Sequence, residues 1–155
     1  MTGRSPATRW RARDAVPGTR IAHAGGRTLG RDEQLWLAWA TGNASAVHGN
    51  ADRASRGPFG DVIVLGALTA AVVAGLAEPE AGSAEDSEAL LHPGWAAIRL
   101  AGPVAPGDTL RAVSDIVAVE HTLGDPVAIV TREILGHNQR DELVVRLEET
   151  RRVVW

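Results

Sequence analysis

The 155-residue chain contains no cysteine and no lysine. Without cysteine there is no disulfide, no thiol nucleophile and no thiolate metal site. All 16 basic residues are therefore arginine, which genome base composition explains without invoking a function. The net charge of −3 lends no support to nucleic-acid binding. No apolar run reaches the roughly 20 residues that a membrane span needs. The Arg-rich stretch 1–17 lacks the apolar core of a secretory signal. The five histidines of the chain show no metal-binding spacing, so no metal is expected. These absences leave a cytoplasmic protein of one domain, with 1–17 loosely ordered and 18–155 folded.

What is present centres on Val62 to Leu76, a run whose one polar side chain is Thr69. It is too long for an ordinary strand, and its Ala and Leu content favours helix. On a helix, Ala67, Ala70, Ala71 and Ala74 form a stripe of small residues, and Leu65, Leu68, Val72 and Leu76 a stripe of large ones. A helix apolar on all sides must be buried on all sides, so the rest of the chain is expected to wrap it.

Before that run, Val16-Pro17-Gly18 signals a turn. Thr19 to Ala24 and Arg27 to Leu29 read as a short strand pair or one bent strand. Arg31 to Ala40 reads as a helix with Asp32 and Glu33 in its first turn and an apolar face of Leu35, Trp36 and Trp39. Thr41-Gly42 stops it. Asn43 to Gly60 is a long connection holding His48, and long connections are often functional. After the apolar run, Glu78 to Glu88 reads as an acidic, solvated loop. Strands follow over Trp95–Leu100, Thr109–Glu120, Val127–Leu135 and Leu143–Trp155, with a hairpin turn at Asn138–Asp141. In the last strand Leu143, Val145, Leu147, Val153 and Trp155 share one face, and Arg146, Glu148, Thr150 and Arg152 the other.

One central helix followed by long antiparallel strands is an α+β arrangement, a single hot-dog domain. The segments Gly26-Arg27-Thr28-Leu29, Thr41 to His48, Phe59 to Thr69, and Gly94-Trp95 with Pro103 to Leu110 and Asn138-Gln139 carry a resemblance to the MaoC-like dehydratase/hydratase family. In look the chain is similar to the branch that acts on mesaconyl-, itaconyl- or β-methylmalyl-CoA.

The resemblance implies reversible syn addition of water to a 2-enoyl thioester, carried by CoA or an acyl carrier protein, on a small or branched acyl group. It implies no cofactor beyond the CoA or phosphopantetheine of the substrate, and a homodimer or higher homo-oligomer. By the motif, His48 is the acid/base, and Gly66 lends its N–H to the thioester oxygen at the helix start. Asn43 stands where many members carry Asp, and would orient the water or hydroxyl. Arg99 is a candidate for a CoA phosphate or a substrate carboxylate. Each has a plainer alternative: Asn43 as a helix C-cap, Gly66 as a packing residue, Arg99 as a solvated strand residue. Asp108, in a Pro-Gly-Asp turn, reads as structural. The alternative for the whole chain is a non-catalytic hot-dog subunit that binds acyl thioester or pairs with a competent partner. A thioesterase is disfavoured because Gly66 to Leu76 carries no carboxylate.

Overall fold

The computed structural model describes residues 15–78, 90–121 and 123–154. Two short strands, β1 (Arg20–Ala22) and β2 (Arg27–Thr28), precede four helices: α1 (Arg31–Ala40), α2 (Ala46–Gly49), α3 (Ala51–Ser55) and α4 (Gly66–Leu76). Four long strands follow: β3 (Leu90–Leu100), β4 (Thr109–His121), β5 (Val127–His137) and β6 (Leu143–Val154). The antiparallel sheet runs β1-β4-β5-β6-β3, with β2 also on β4. The two N-terminal strands thus pair with β4, not with each other. The loosely ordered segment expected at 1–17 falls mostly outside the described residues. Its last residues include Ala15, which is buried beside Ile21, Ile116, Val130 and Val153. The acidic loop expected after Glu78 also lies outside them from residue 79 to 89.

The central helix is shorter than the apolar run suggests. Val62 to Leu65 is extended: the Val64 N–H donates to the Val104 carbonyl at 2.7 Å, and Ile63 N–H to that of Val47 at 3.1 Å. β-Branched side chains at 62–64 resist helix, and Leu65 caps α4 with extended backbone. The four residues are instead a tether that threads α4 into the fold.

Nor is α4 buried on every side. Thr69, Ala70, Val72 and Val73 face the core, whereas Ala67 and Ala71 are exposed. The large stripe packs with Leu110, Ile134, Val145 and Leu147 of the sheet. Gly136 lets this packing close up, since a Cβ there would stand 2.5 Å from Val73. Of the small stripe, Ala70 and Ala74 join that cluster, whereas Ala67 and Ala71 stay exposed beside the edge strand β3, where Trp95, Ile98 and Leu100 stand exposed. The expectation that the helix is buried on all sides is therefore corrected. Within one chain, nothing among the described residues covers the second stripe fully.

Two further expectations change. In α1 the buried residues are Gln34 and Ala38, whereas Trp36 and Trp39 are 66% and 80% exposed. Packing of α1 against α2 selects its inner face, overriding aromatic content. The connection 43–60 contains α2 and α3, favoured by its alanines, with Asn50 Oδ1 capping α3 through Arg53 N–H at 3.0 Å.

The inner face of the sheet also holds charge. Arg132 and Glu149 are opposite one another on β5 and β6 and ion-paired, at 1% and 0% side-chain exposure. Arg151 bridges Glu149 and Glu78, and Arg132 Nη1 donates to the Ala77 carbonyl at the C-terminal end of α4. A cation there complements the helix dipole. Burial alone would raise the Glu149 carboxyl, but the Arg132 and Arg151 guanidinium groups hold it below the usual range. His23 hydrogen-bonds Ser114 at 2.7 Å beside this cluster, and burial, aided by the Arg132 charge, lowers its pKa to about 4. The apolar core forms two clusters, a larger one around α4 and a smaller one around Ile116 and Val153.

Candidate active site

The chain leaves α1 through a tight exit. Gly42 takes φ +66, and the N–H groups of Gly42 and Asn43 donate back to the carbonyls of Trp39 and Ala38. That is a Schellman motif, so the left-handed residue is Gly42 and not Asn43. Asn43 starts the next turn: its Oδ1 accepts from Ser45 N–H at 3.0 Å. The Ser45 carbonyl in turn accepts from His48 N–H at 3.1 Å. Asn43 and His48 are thus joined through one residue. With Oδ1 engaged, the exposed Asn43 side chain offers its Nδ2 donors outward.

His48 is half-buried on α2. Its Nδ1 lies 2.9 Å from the Ile63 carbonyl. A carbonyl only accepts, so Nδ1 carries a proton, and in the neutral ring the lone pair is on Nε2. Its own carbonyl accepts from Gln34 Nε2 at 2.5 Å. Ile63 belongs to the tether that opens into Gly66. As the first helical residue, Gly66 has an N–H with no acceptor inside α4. Its location at the positive end of the helix dipole suits a developing oxyanion.

Gly66 has ordinary negative φ, so conformation alone does not demand glycine there. Space favours it: a Cβ would come within 2.2 Å of Leu100 Cδ1, so the exposed leucine would have to turn aside. Next to it a cavity of about 550 Å³ runs between the small stripe of α4 and β3, walled by Gly66, Ala70, Ala74, Trp95, Ile98 and Leu100 among others. The wall is apolar, and His48 is not part of it.

The structure brings His48, Asn43 and Gly66 into one connected unit through Ser45 and the 62–65 tether. It does not bring in Arg99. That residue lies between Ile98 and Leu100, which face the cavity, and sits opposite Arg146 in the register, so alternation sends its side chain to the other face of β3. The solvated-strand alternative fits this position. Gln34 and the Ile63 carbonyl were not legible as site components, since a lone Gln in a helix and a backbone oxygen leave no sequence signal. Asp108 is structural: it accepts from Ala105 N–H, Gln139 and Arg140, which tie the turn before β4 to the β5–β6 hairpin. Among the described residues, no group of three metal-ligating side chains could hold a metal ion. No described helix is long and apolar enough to cross a membrane.

Comparison with known proteins bears on the family and the fold. A MaoC-like domain model matches residues 11–135. The 3-hydroxyacyl-thioester dehydratase Z of Mycobacterium tuberculosis is 29% identical over 106 residues, covering 68% of this chain and 70% of that protein. The structure of a MaoC-like dehydratase from Rhodospirillum rubrum superposes with TM-score 0.77 at 22% identity, covering 94% of this chain and 97% of the other. The (R)-hydratase from A. caviae superposes with TM-score 0.64, also at 22% identity, over 90% of this chain and 98% of the other. The match across most of its length, together with the shared hot-dog fold, shows that the chain belongs to the MaoC-like dehydratase/hydratase family.

Proposed function

We propose that the chain is a hydro-lyase acting on acyl thioesters, adding water to a 2-enoyl thioester or removing it from the 3-hydroxyacyl form. The observation that carries this reading is the His48–Ile63 hydrogen bond, which leaves Nε2 as the nitrogen for proton transfer, on a ring held against the tether to Gly66. In hydration, Nε2 takes a proton from water as the water oxygen bonds to C3. The electron pair moves through C2 to the thioester oxygen, where the Gly66 N–H stabilises it. The protonated imidazole then delivers a proton to C2 on the same face, which gives syn addition. Dehydration runs these steps in reverse. Asn43 supplies a donor that orients the water or hydroxyl.

The acyl group in this reading is small or branched and uncharged near α4. The apolar wall would leave a second carboxylate without a partner, which is costly, and Arg99 is on the other face of its strand. This weighs against the dicarboxylic branch. The thioester carrier is CoA or an acyl carrier protein. A second copy of the chain is the proposed cover for the free edge of β3 and its exposed Trp95, Ile98 and Leu100. An unpaired edge with apolar residues favours association. Ile98→Glu should then convert a dimer into a monomer by light scattering, and a monomeric wild type would refute that assembly.

The function is tested by incubating the protein with a panel of 2-enoyl-CoA and 3-hydroxyacyl-CoA esters and following the mass of the acyl group. A shift of one water with at least one ester is expected, abolished in His48→Ala. A wild type inert on every ester, with activity created by Asn43→Asp, points instead to the non-catalytic subunit.

A further inference from the structure

Gln34 is fully buried in α1, yet only half of its amide is used: Nε2 donates to the His48 carbonyl, and Oε1 has no partner among the described residues. We propose that Gln34 is a positioning residue for His48, holding its peptide so that the imidazole meets the Ile63 carbonyl in one orientation. The inference rests on the reading of His48 as the acid/base.

The need for such a residue follows from the local backbone. Helix α2 has four residues and buries none of them. So short a helix has little stability of its own. The chain turns out of it at Asn50, φ −121°, ψ 96°, before α3 begins. No later amide of α2 therefore returns to the His48 carbonyl. Gln34 fills that vacancy from another element, 14 positions earlier in the chain. The imidazole has its own tether from Nδ1 to the Ile63 carbonyl. Peptide and ring are thus held from two sides, by α1 and by the segment leading into α4.

The stranded Oε1 indicates what the residue is for. Leu or Met would occupy similar volume without burying an unsatisfied acceptor. A glutamine is the poorer packing choice, and what it adds over either is the donor to His48. Loss of that donor should loosen the ring and misplace Nε2. Misplacement by an ångström is enough to lower a rate by about 100-fold.

The experiment compares wild type, Gln34→Met and Gln34→Glu by steady-state kinetics and by ¹⁵N NMR of histidine-labelled protein. Gln34→Met keeps the volume and removes the donor. Its expected kcat is about 10- to 100-fold below wild type with KM little changed, and it should add no loss in the His48→Ala background. The His48 nitrogens are expected to report the Nδ1–H tautomer in wild type and to shift towards averaged tautomers in the variant. Gln34→Glu covers the case in which Gln34→Met does not fold. Its carboxylate cannot donate, but its protonated form can, so its kcat relative to wild type should rise as pH falls. Wild-type kcat, an unchanged His48 spectrum, or an equal loss in the His48→Ala background would overturn the proposal. A wild type inert on every thioester would instead refute the proposed function, and the NMR comparison would still decide whether Gln34 orients the ring.

Discussion

His48 Nδ1 and the Ile63 carbonyl oxygen lie 2.9 Å apart, on segments separated by 15 positions in the chain. The bond joins the short helix that carries the imidazole to the tether that ends in Gly66. It makes the tautomer of His48 a property of the fold: the nitrogen facing Ile63 must carry the proton, so the other is the one available for chemistry. The reciprocal bond from Ile63 N–H to the Val47 carbonyl locks the two segments in register.

His48→Ala is expected to fold and to lose activity by about 10²- to 10⁴-fold, the range for a residue that transfers a proton. Hydration kinetics with the best ester of the panel measure it. Turnover near wild type would move the chemistry to another residue.

Gly66→Ala separates packing from chemistry. The added Cβ meets the Leu100 Cδ1 methyl at 2.2 Å, but that side chain is exposed and can turn aside, so the stability measured by urea denaturation should fall little. Gly66→Ala/Leu100→Ala removes the contact and should recover what is lost. Recovery of stability without activity would mean that the glycine also serves close approach of the thioester. Recovery of both would reduce Gly66 to a packing residue.

Asn43→Ala should lose both the Ser45 turn and the outward donor, and activity should fall. Asn43→Asp keeps an acceptor for Ser45 N–H and replaces the donor with a second acceptor that can take a proton. Retained or increased turnover in Asn43→Asp would show that the site tolerates a carboxylate, as in many family members. A silent Asn43→Ala would leave Asn43 with no part in the reaction.

Acid should destabilise the protein in two stages. The folded His23 pKa is about 4, against 6.5 for the free side chain. Between those values the unfolded chain binds more protons, so stability is full above pH 6.5 and declines as pH falls towards 4. At lower pH the carboxyls of Glu149 and Asp108, both held below their usual range, protonate and further stability is lost. Burial opposes both shifts; the arginines prevail at Glu149, and the Ala105 N–H with Gln139 and Arg140 at Asp108. Thermal melts of His23→Gln should show a flatter dependence on pH over the first stage alone. A His23→Gln slope equal to that of wild type would exclude His23 as the source.

The sequence determined the elements whose residues carry their own instructions. Alternation over 143–155 was enough to place the last strand, because every second side chain must leave water, and the runs 109–120 and 127–135 placed two more by length and β-rich content. The Asn138–Asp141 turn and the helix Arg31–Ala40 were legible from turn residues and from the acidic first turn with its glycine stop. Motif order identified the family and with it His48, Asn43 and Gly66 as candidates. Tertiary structure decided the rest. The run 62–76 is uniformly apolar, so hydrophobicity could not show that its first four residues would extend and pair with Val47 and Val104. Nor could it show which stripe of α4 faces the sheet and which the free edge of β3. Glu149 and Arg151 occupy inward positions that alternation assigns correctly but polarity disguises, since only Arg132 and Glu78 across space make their burial tolerable. Gln34 could not be found in the sequence at all: its significance lies in a carbonyl 14 residues away that no helix of its own can satisfy.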